Sequence, residues 1–112
     1  NLQAADATFA ENARFYTPVL PDPVSGKSHV IRLVAVLLKT FQGIHITAEL
    51  QSADHFALAF DAHIGTEPIH IFDLITFDRT GHIVTFASHG RPYSGIRALA
   101  LAVGPHIGDI LK

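Results

Sequence analysis

Residues 68–90 read PIHIFDLITFDRTGHIVTFASHG, and this stretch decides the fold. Ile69, Ile71, Asp73, Ile75 and Phe77 alternate with His70, Phe72, Leu74 and Thr76, the period of two that belongs to a β-strand. Asp78-Arg79-Thr80-Gly81 then supplies a turn in which Gly81 can take positive φ, and the alternation resumes through Val84, Phe86 and Ser88. The two runs form a hairpin.

Toward the N-terminus the same period continues. Ile44, Ile46, Ala48 and Leu50 alternate with His45, Thr47 and Glu49, and a further strand runs from about 55 to 64. Turn residues stand between them, Gln51 to Asp54 and Gly65-Thr66. The four strands, about 44–50, 55–64, 68–78 and 82–90, are expected as an antiparallel meander. Before them the period is helical: Val30, Leu33, Val34, Leu37, Leu38 and Phe41 share one face after a Ser25 or Ser28 cap. Leu2, Ala5, Phe9 and Ala13 step the same way, so residues 1–12 also read as a helix, with Arg14 to Thr17 a short extended piece. Pro18, Pro21 and Pro23 forbid regular structure until Ser25-Gly26. After Pro92, Ile96 to Val103 reads as a closing helix stopped by Gly104-Pro105. Residues 1–112 are thus expected as one α+β domain with helices packed on the concave face of a curved antiparallel sheet.

A register that pairs Leu50 with Phe56, Ala62 with Ile69 and Phe77 with His82 gives every strand a consistent inner face. That face carries Ile44, Ile46, Ala48, Leu50, Phe56, Leu58, Phe60, Ala62 and the Ile69 to Phe77 series. Asp73 is its only charge, expected between Leu58 and Phe86. Desolvation among hydrocarbons favours the neutral acid and raises the pKa. Asp73 is then either a general base with raised pKa, a neutral acid donating a hydrogen bond to a developing oxyanion, or a structural acceptor for Tyr16, a Ser or a backbone amide.

Ala13-Arg14-Phe15-Tyr16-Thr17-Pro18-Val19, Ser25-Gly26, the helix to Phe41, and Phe72-Asp73-Leu74-Ile75-Thr76-Phe77-Asp78 with Gly81 and Ile83 together resemble the SnoaL-like branch of the nuclear transport factor 2-like (NTF2-like) superfamily. Ketosteroid isomerase and limonene epoxide hydrolase belong to it too. The resemblance implies a cone-shaped α+β barrel whose mouth admits a small apolar ligand, commonly in a homodimer. It sets Asp73 at the family's oxyanion-binding Asp. In ketosteroid isomerase the general base is the Asp of an Asp-Pro-Val element, and Thr17 stands at that position here. The Arg-x-Asp and last-strand Asp of limonene epoxide hydrolase are matched only by Asp61, with Ala59 and Ser88 in the other places. Acid/base chemistry by Asp73, of isomerase, cyclase or hydrolase type, is the enzymatic expectation. The alternative is a non-catalytic ligand-binding or dimerisation module with a structural Asp73.

Around Asp73 the sequence offers Tyr16, Thr17, His29, Leu58, Phe86, Ser88 and Arg91 as candidate ligand-binding residues. Tyr16 is read as a hydrogen-bond donor or as packing, His29 as a shuttle at the mouth or a surface His, and Arg91 as a cap for a ligand carboxylate or a surface ion-pair member. Ser88 has no His on its face, which weakens a nucleophile role.

Composition narrows the partners. Leu, Ile, Val and Phe fill 37 of 112 positions, enough for an independent core. The net charge is -2 and the five Arg are scattered, so nucleic acid is not an expected partner. The longest apolar runs, Leu33 to Leu38 and Ala98 to Val103, are six residues each, against the ~20 of a membrane span. A soluble, cytoplasmic chain is expected. With no Cys and no cofactor motif, neither thiolate chemistry nor a cofactor is expected. The register also lines up His45, Asp61, His70 and His89 on the outer face, but a flat row is a poor tetrahedron and no metal is assigned. Beside that row, Ala57, Ala59, Phe72, Leu74, Thr85 and Ala87 form a flat patch expected to pair with a second copy.

Overall fold

The computed structural model describes residues 6–112. Strands β1 (Phe9–Tyr16) and β2 (Val24–Ser25) precede helix α1 (Lys27–Thr40). Strands β3 (Gln42–Gln51), β4 (His55–Ile64), β5 (Glu67–Phe77) and β6 (Ile83–Arg91) follow, then α2 (Tyr93–Val103), a 3-10 turn (Gly104–His106) and α3 (Ile107–Ile110). The six strands form one open sheet in the order β2-β1-β6-β5-β4-β3. The meander β3 to β6 is antiparallel as expected, but β1 adds parallel to β6 and β2 pairs back on β1, so the sheet is mixed. Helices cover one side of its curve. Among the described residues no helix is long and apolar enough to cross a membrane.

The expected helix over 1–12 is corrected. Residues 6–8 are helical, positions 1–5 lie outside the described residues, and Phe9 onward is strand. The reason is local: β1 pairs Phe9 with Ile83 but Arg14 with Thr85, so its register shifts between those two residues. The shift breaks the period of two, and the buried Phe9 and Ala13 fall four apart, which imitates a helix.

Helix α1 buries Val30, Leu33 and Leu37 on the sheet, while Leu38 is exposed and Phe41 has already left the helix to set its ring edge-on to Phe60 at 5.3 Å. Its N-cap is Gly26 at φ 97, with no side-chain cap, so neither Ser25 nor Ser28 caps it. Helix α2 lays Leu99 and Val103 on the core and starts three residues earlier than expected. The helix stops at Gly104-Pro105 as expected, and the chain continues beyond it. It returns over α1 through α3, where Ile110 is buried and the Arg32 guanidinium donates to Ile110 O at 3.2 Å and Lys112 O at 3.1 Å.

Register decides the faces. The β4/β5 pairing is the expected one throughout, from His55 with Thr76 to Ile64 with Glu67. On β5/β6 the pairs run two residues beyond expectation, Asp73 facing Ser88 and Ile75 facing Phe86, with an irregularity between Thr76 and Phe77. A slip of two keeps every side chain on its face but changes its neighbours. On β3/β4 the expected register holds at His45 with Asp61 and Ile46 with Phe60, then shifts by one, pairing Glu49 with Leu58 and Leu50 with Ala57. Glu49 therefore faces inward and Leu50 outward, the reverse of expectation. All ten β3 residues are exposed, so Ile44 and Ile46 are not core.

Helix α2 sits against β5 at Gly95, where a Cβ would come within 2.6 Å of Pro68 O and 3.1 Å of Ile69 Cβ. Ala normally improves a helix interior by about 1 kcal/mol over Gly. Here overpacking should win, and Gly95→Ala is expected to lose about 1–3 kcal/mol in urea unfolding. A stabilised variant would contradict this packing.

Candidate active site on the concave face

Asp73 reaches the concave face because β5 alternates without a break from Ile69 to Ile75, all four inward residues being buried. Its pairing partners are Leu58 on β4 and Ser88 on β6. Residue exposure is 6%, and the carboxylate Oδ1 is buried with no hydrogen-bond partner among the described residues. Such an atom is costly to hold as an ion. Burial raises the pKa of Asp73 from 3.8 to about 6, against a smaller downward pull from the Ser88 hydroxyl and the charge of His89.

The walls come from both sides of this row. Phe86 faces Ile75 one row along and stacks on the buried Phe15 with ring centroids 4.5 Å apart and planes at 13°. Phe56 and Leu58 are half-buried against the core. Thr17, just past β1, is buried, and its Oγ1 accepts from the Val19 backbone N–H at 3.4 Å. Leu58, Phe86 and Ser88 are thus the expected site residues that the sheet brings onto the face of Asp73.

Tyr16, His29 and Arg91 lie elsewhere. Tyr16 pairs with Ala87, which puts it on the outer face, 40% exposed, while Phe15 and Thr17 take the buried positions. Arg91 pairs with His70 and also faces outward, behind the sheet from Asp73. The His29 ring bonds Ser25 O at 3.1 Å and Lys112 O at 3.2 Å, which ties α1 to the C-terminal segment. The outer row also differs from expectation: His70 faces Arg91, and His89 faces Phe72.

Two pairings differ from the expected register. Asp73 faces Ser88 rather than Phe86, because nothing in the turn residues fixes where the β5/β6 pairing resumes. Glu49 shares the concave row through Leu58 only because β3 carries an extra residue between Ile46 and Ala48. Chemically, a carboxyl poised between its two protonation states near neutrality can donate a hydrogen bond to a carbonyl oxygen or accept a proton from carbon.

No family model and no curated protein matches the sequence. Solved structures do resemble it. A steroid delta-isomerase from Pseudomonas aeruginosa superposes with a TM-score of 0.90 at 28% identity, over 99% of this chain and 82% of that one. An uncharacterised cystatin-like protein from Silicibacter pomeroyi gives 0.88 at 25% identity, over 93% and 74%. An NTF2-like protein of unknown function from Burkholderia xenovorans gives 0.67 at 12% identity, over 81% and 71%, a likeness of fold alone.

A raised carboxyl pKa makes the folded state bind the proton more tightly than the unfolded chain, so stability falls as pH rises from about 4 through about 6. Asp73→Asn removes that dependence. Between pH 3 and pH 8 its unfolding free energy relative to the parent should move in the variant's favour by about 3 kcal/mol. Denaturant unfolding across that range measures it, and a shift of the opposite sign would mean that the ionised carboxylate is the stabilised form.

Proposed function

We propose that this chain is an NTF2-like protein, as its likeness to a steroid delta-isomerase at 28% identity supports, and that it binds a small apolar carbonyl compound on the concave face, with Asp73 as the acid/base group. The observation that carries this reading is the buried Asp73 Oδ1 without a partner. A ligand oxygen seated there would supply the missing hydrogen bond, and Phe56, Leu58 and Phe86 would cover its apolar body. Neutral Asp73 donates to the carbonyl as negative charge develops on oxygen; ionised Asp73 removes a proton from the adjacent carbon. The reaction class is isomerisation, cyclisation or hydrolysis through proton transfer.

Thr17 favours a second reading. It occupies the place at which the resemblance puts a catalytic Asp, and a hydroxyl there cannot serve as that base. The chain would then bind without turnover. Two probes separate the readings: 2-naphthol, whose hydroxyl competes for the Asp73 carboxyl, and cyclohex-3-enone in deuterated buffer, whose α-protons report base catalysis. Naphthol fluorescence should change on binding to the parent and not to Asp73→Leu, and the parent should accelerate deuterium uptake while Asp73→Asn does not. Binding without acceleration would leave the non-catalytic reading; no binding of either probe would remove both.

The outer face supports a dimer in either case. Phe72 is 44% exposed at the centre of a patch with Ala57, Ala59, Leu74 and Ala87, and the β3 shift adds Ala48 and the exposed Leu50. Sedimentation should find a dimer at neutral pH and a monomer for Phe72→Glu. A monomeric parent would refute the pairing.

A further inference from the structure

Behind the sheet from Asp73, the outer face holds a cavity of about 280 Å³, with Thr47, Asp61, His70, Phe72, His89 and Arg91 among its lining. The register assembles it. Asp61, His70 and Arg91 stand side by side on β4, β5 and β6, and Phe72 and His89 form the next row. Thr47 enters from the irregular stretch of β3.

The polar groups are oriented. His70 Nδ1 bonds the Asp61 carboxylate, and since a carboxylate only accepts, the ring nitrogen donates. His89 Nδ1 lies 3.3 Å from Phe72 O and donates to it in the same way. Each ring thus spends Nδ1 on the protein and keeps Nε2 for something else. Arg91 is exposed and its guanidinium has no ion pair or side-chain hydrogen bond with any described residue, although its neighbour His70 holds a carboxylate. Asp61 is committed to His70, and the fork of Arg91 is left open toward the cavity that it lines. A guanidinium fork matches a carboxylate with two parallel N–H donors, which a point charge such as Lys does not. The floor beneath it is apolar and flat, the exposed Phe72 ring with Ala59 beside it. The volume sits just under the usual range of about 300–1,000 Å³ for ligand pockets, which suits a single-ring molecule.

We propose that this groove binds a small planar carboxylate, its head on Arg91 and His70 and its apolar body on Phe72. The site is separate from the concave face and does not rest on the reading of Asp73. When His70 is protonated, Asp61 balances its charge from behind while Nε2–H donates to the ligand, so the carboxylate meets two donors and no uncompensated negative charge.

Benzoate is the probe, followed by amide NMR of the uniformly labelled protein, with benzamide as the neutral isostere. Benzoate should shift amides on the outer rows around His70, Phe72, His89 and Arg91 in a saturable way, and benzamide at equal concentration should not. Arg91→Gln should weaken benzoate about tenfold or more, Arg91→Lys should fall between Gln and the parent, and Arg97→Gln on α2 should bind as the parent does. Equal binding of benzamide, shifts confined to the concave face, parental affinity in Arg91→Gln, or no binding at all would each overturn the proposal. Because Phe72 also belongs to the dimer patch, a dimer that seals the groove against benzoate counts as overturning it. The benzoate and benzamide comparison uses the unmodified protein, so it stands even if an Arg91 variant does not fold.

Discussion

Ten residue pairs hold β4 against β5 in an unbroken antiparallel register, and everything chemical in this chain depends on that ladder. Because the pleat alternates strictly, the pairing sends Ile69, Ile71, Asp73 and Ile75 to one side and His70, Phe72 and Leu74 to the other. A slip by one residue would expose four buried side chains and bury an imidazole. The apolar residues of β5 therefore enforce the position of its one buried charge, and Asp73 stays inward at a standing cost because its neighbours cannot go outward.

That cost is informative. Phe15 stacked on Phe86, Leu33 and Val30 under α1, and Leu99 and Val103 under α2 fill the concave side with well-packed hydrocarbon. A carboxylate oxygen left without a partner in such a setting weakens the fold at neutral pH, and packing alone gives no reason for it. Local rules break where function or strain resides, and here the break falls on the chain's single inward-facing charge of β5. The outer face shows the complementary pattern: polar groups that are paired on one side only, Asp61 to His70 and His89 to a carbonyl, around an Arg left open.

The sequence made the central ladder legible because Gly65-Thr66 is a tight, unambiguous turn between two clean alternations. It misplaced the flanks for identifiable reasons. The turn at Asp78 to Gly81 closes through Asp78 Oδ1, which accepts from the Thr80 and His82 backbone N–H groups at 2.9 and 3.0 Å, and the pairing resumes two residues out of the expected step. That even slip preserved the face of Asp73 while replacing Phe86 by Ser88 as its neighbour. The odd slip on β3 had the opposite effect, turning Glu49 inward and Leu50 outward, since an extra residue leaves no compositional mark in an edge strand that is exposed throughout. Asp73 was readable as the lone charge in an apolar series. Tyr16, expected beside Asp73, lies on the outer face, because whether a strand shows Tyr16 or Thr17 to the core depends on its parallel partner β6, which lies far away in sequence.

The central claim is that Asp73 is a desolvated carboxyl poised near neutrality rather than an ion-paired structural acid. Carbon-13 NMR titration of its side-chain carboxyl tests this in one experiment, on the free protein and without knowledge of any ligand. A midpoint near 6 agrees with the buried, unpartnered oxygen. A midpoint at or below the ordinary Asp value of about 3.9 would mean that the ionised form is well satisfied in the fold, and would remove the acid/base role.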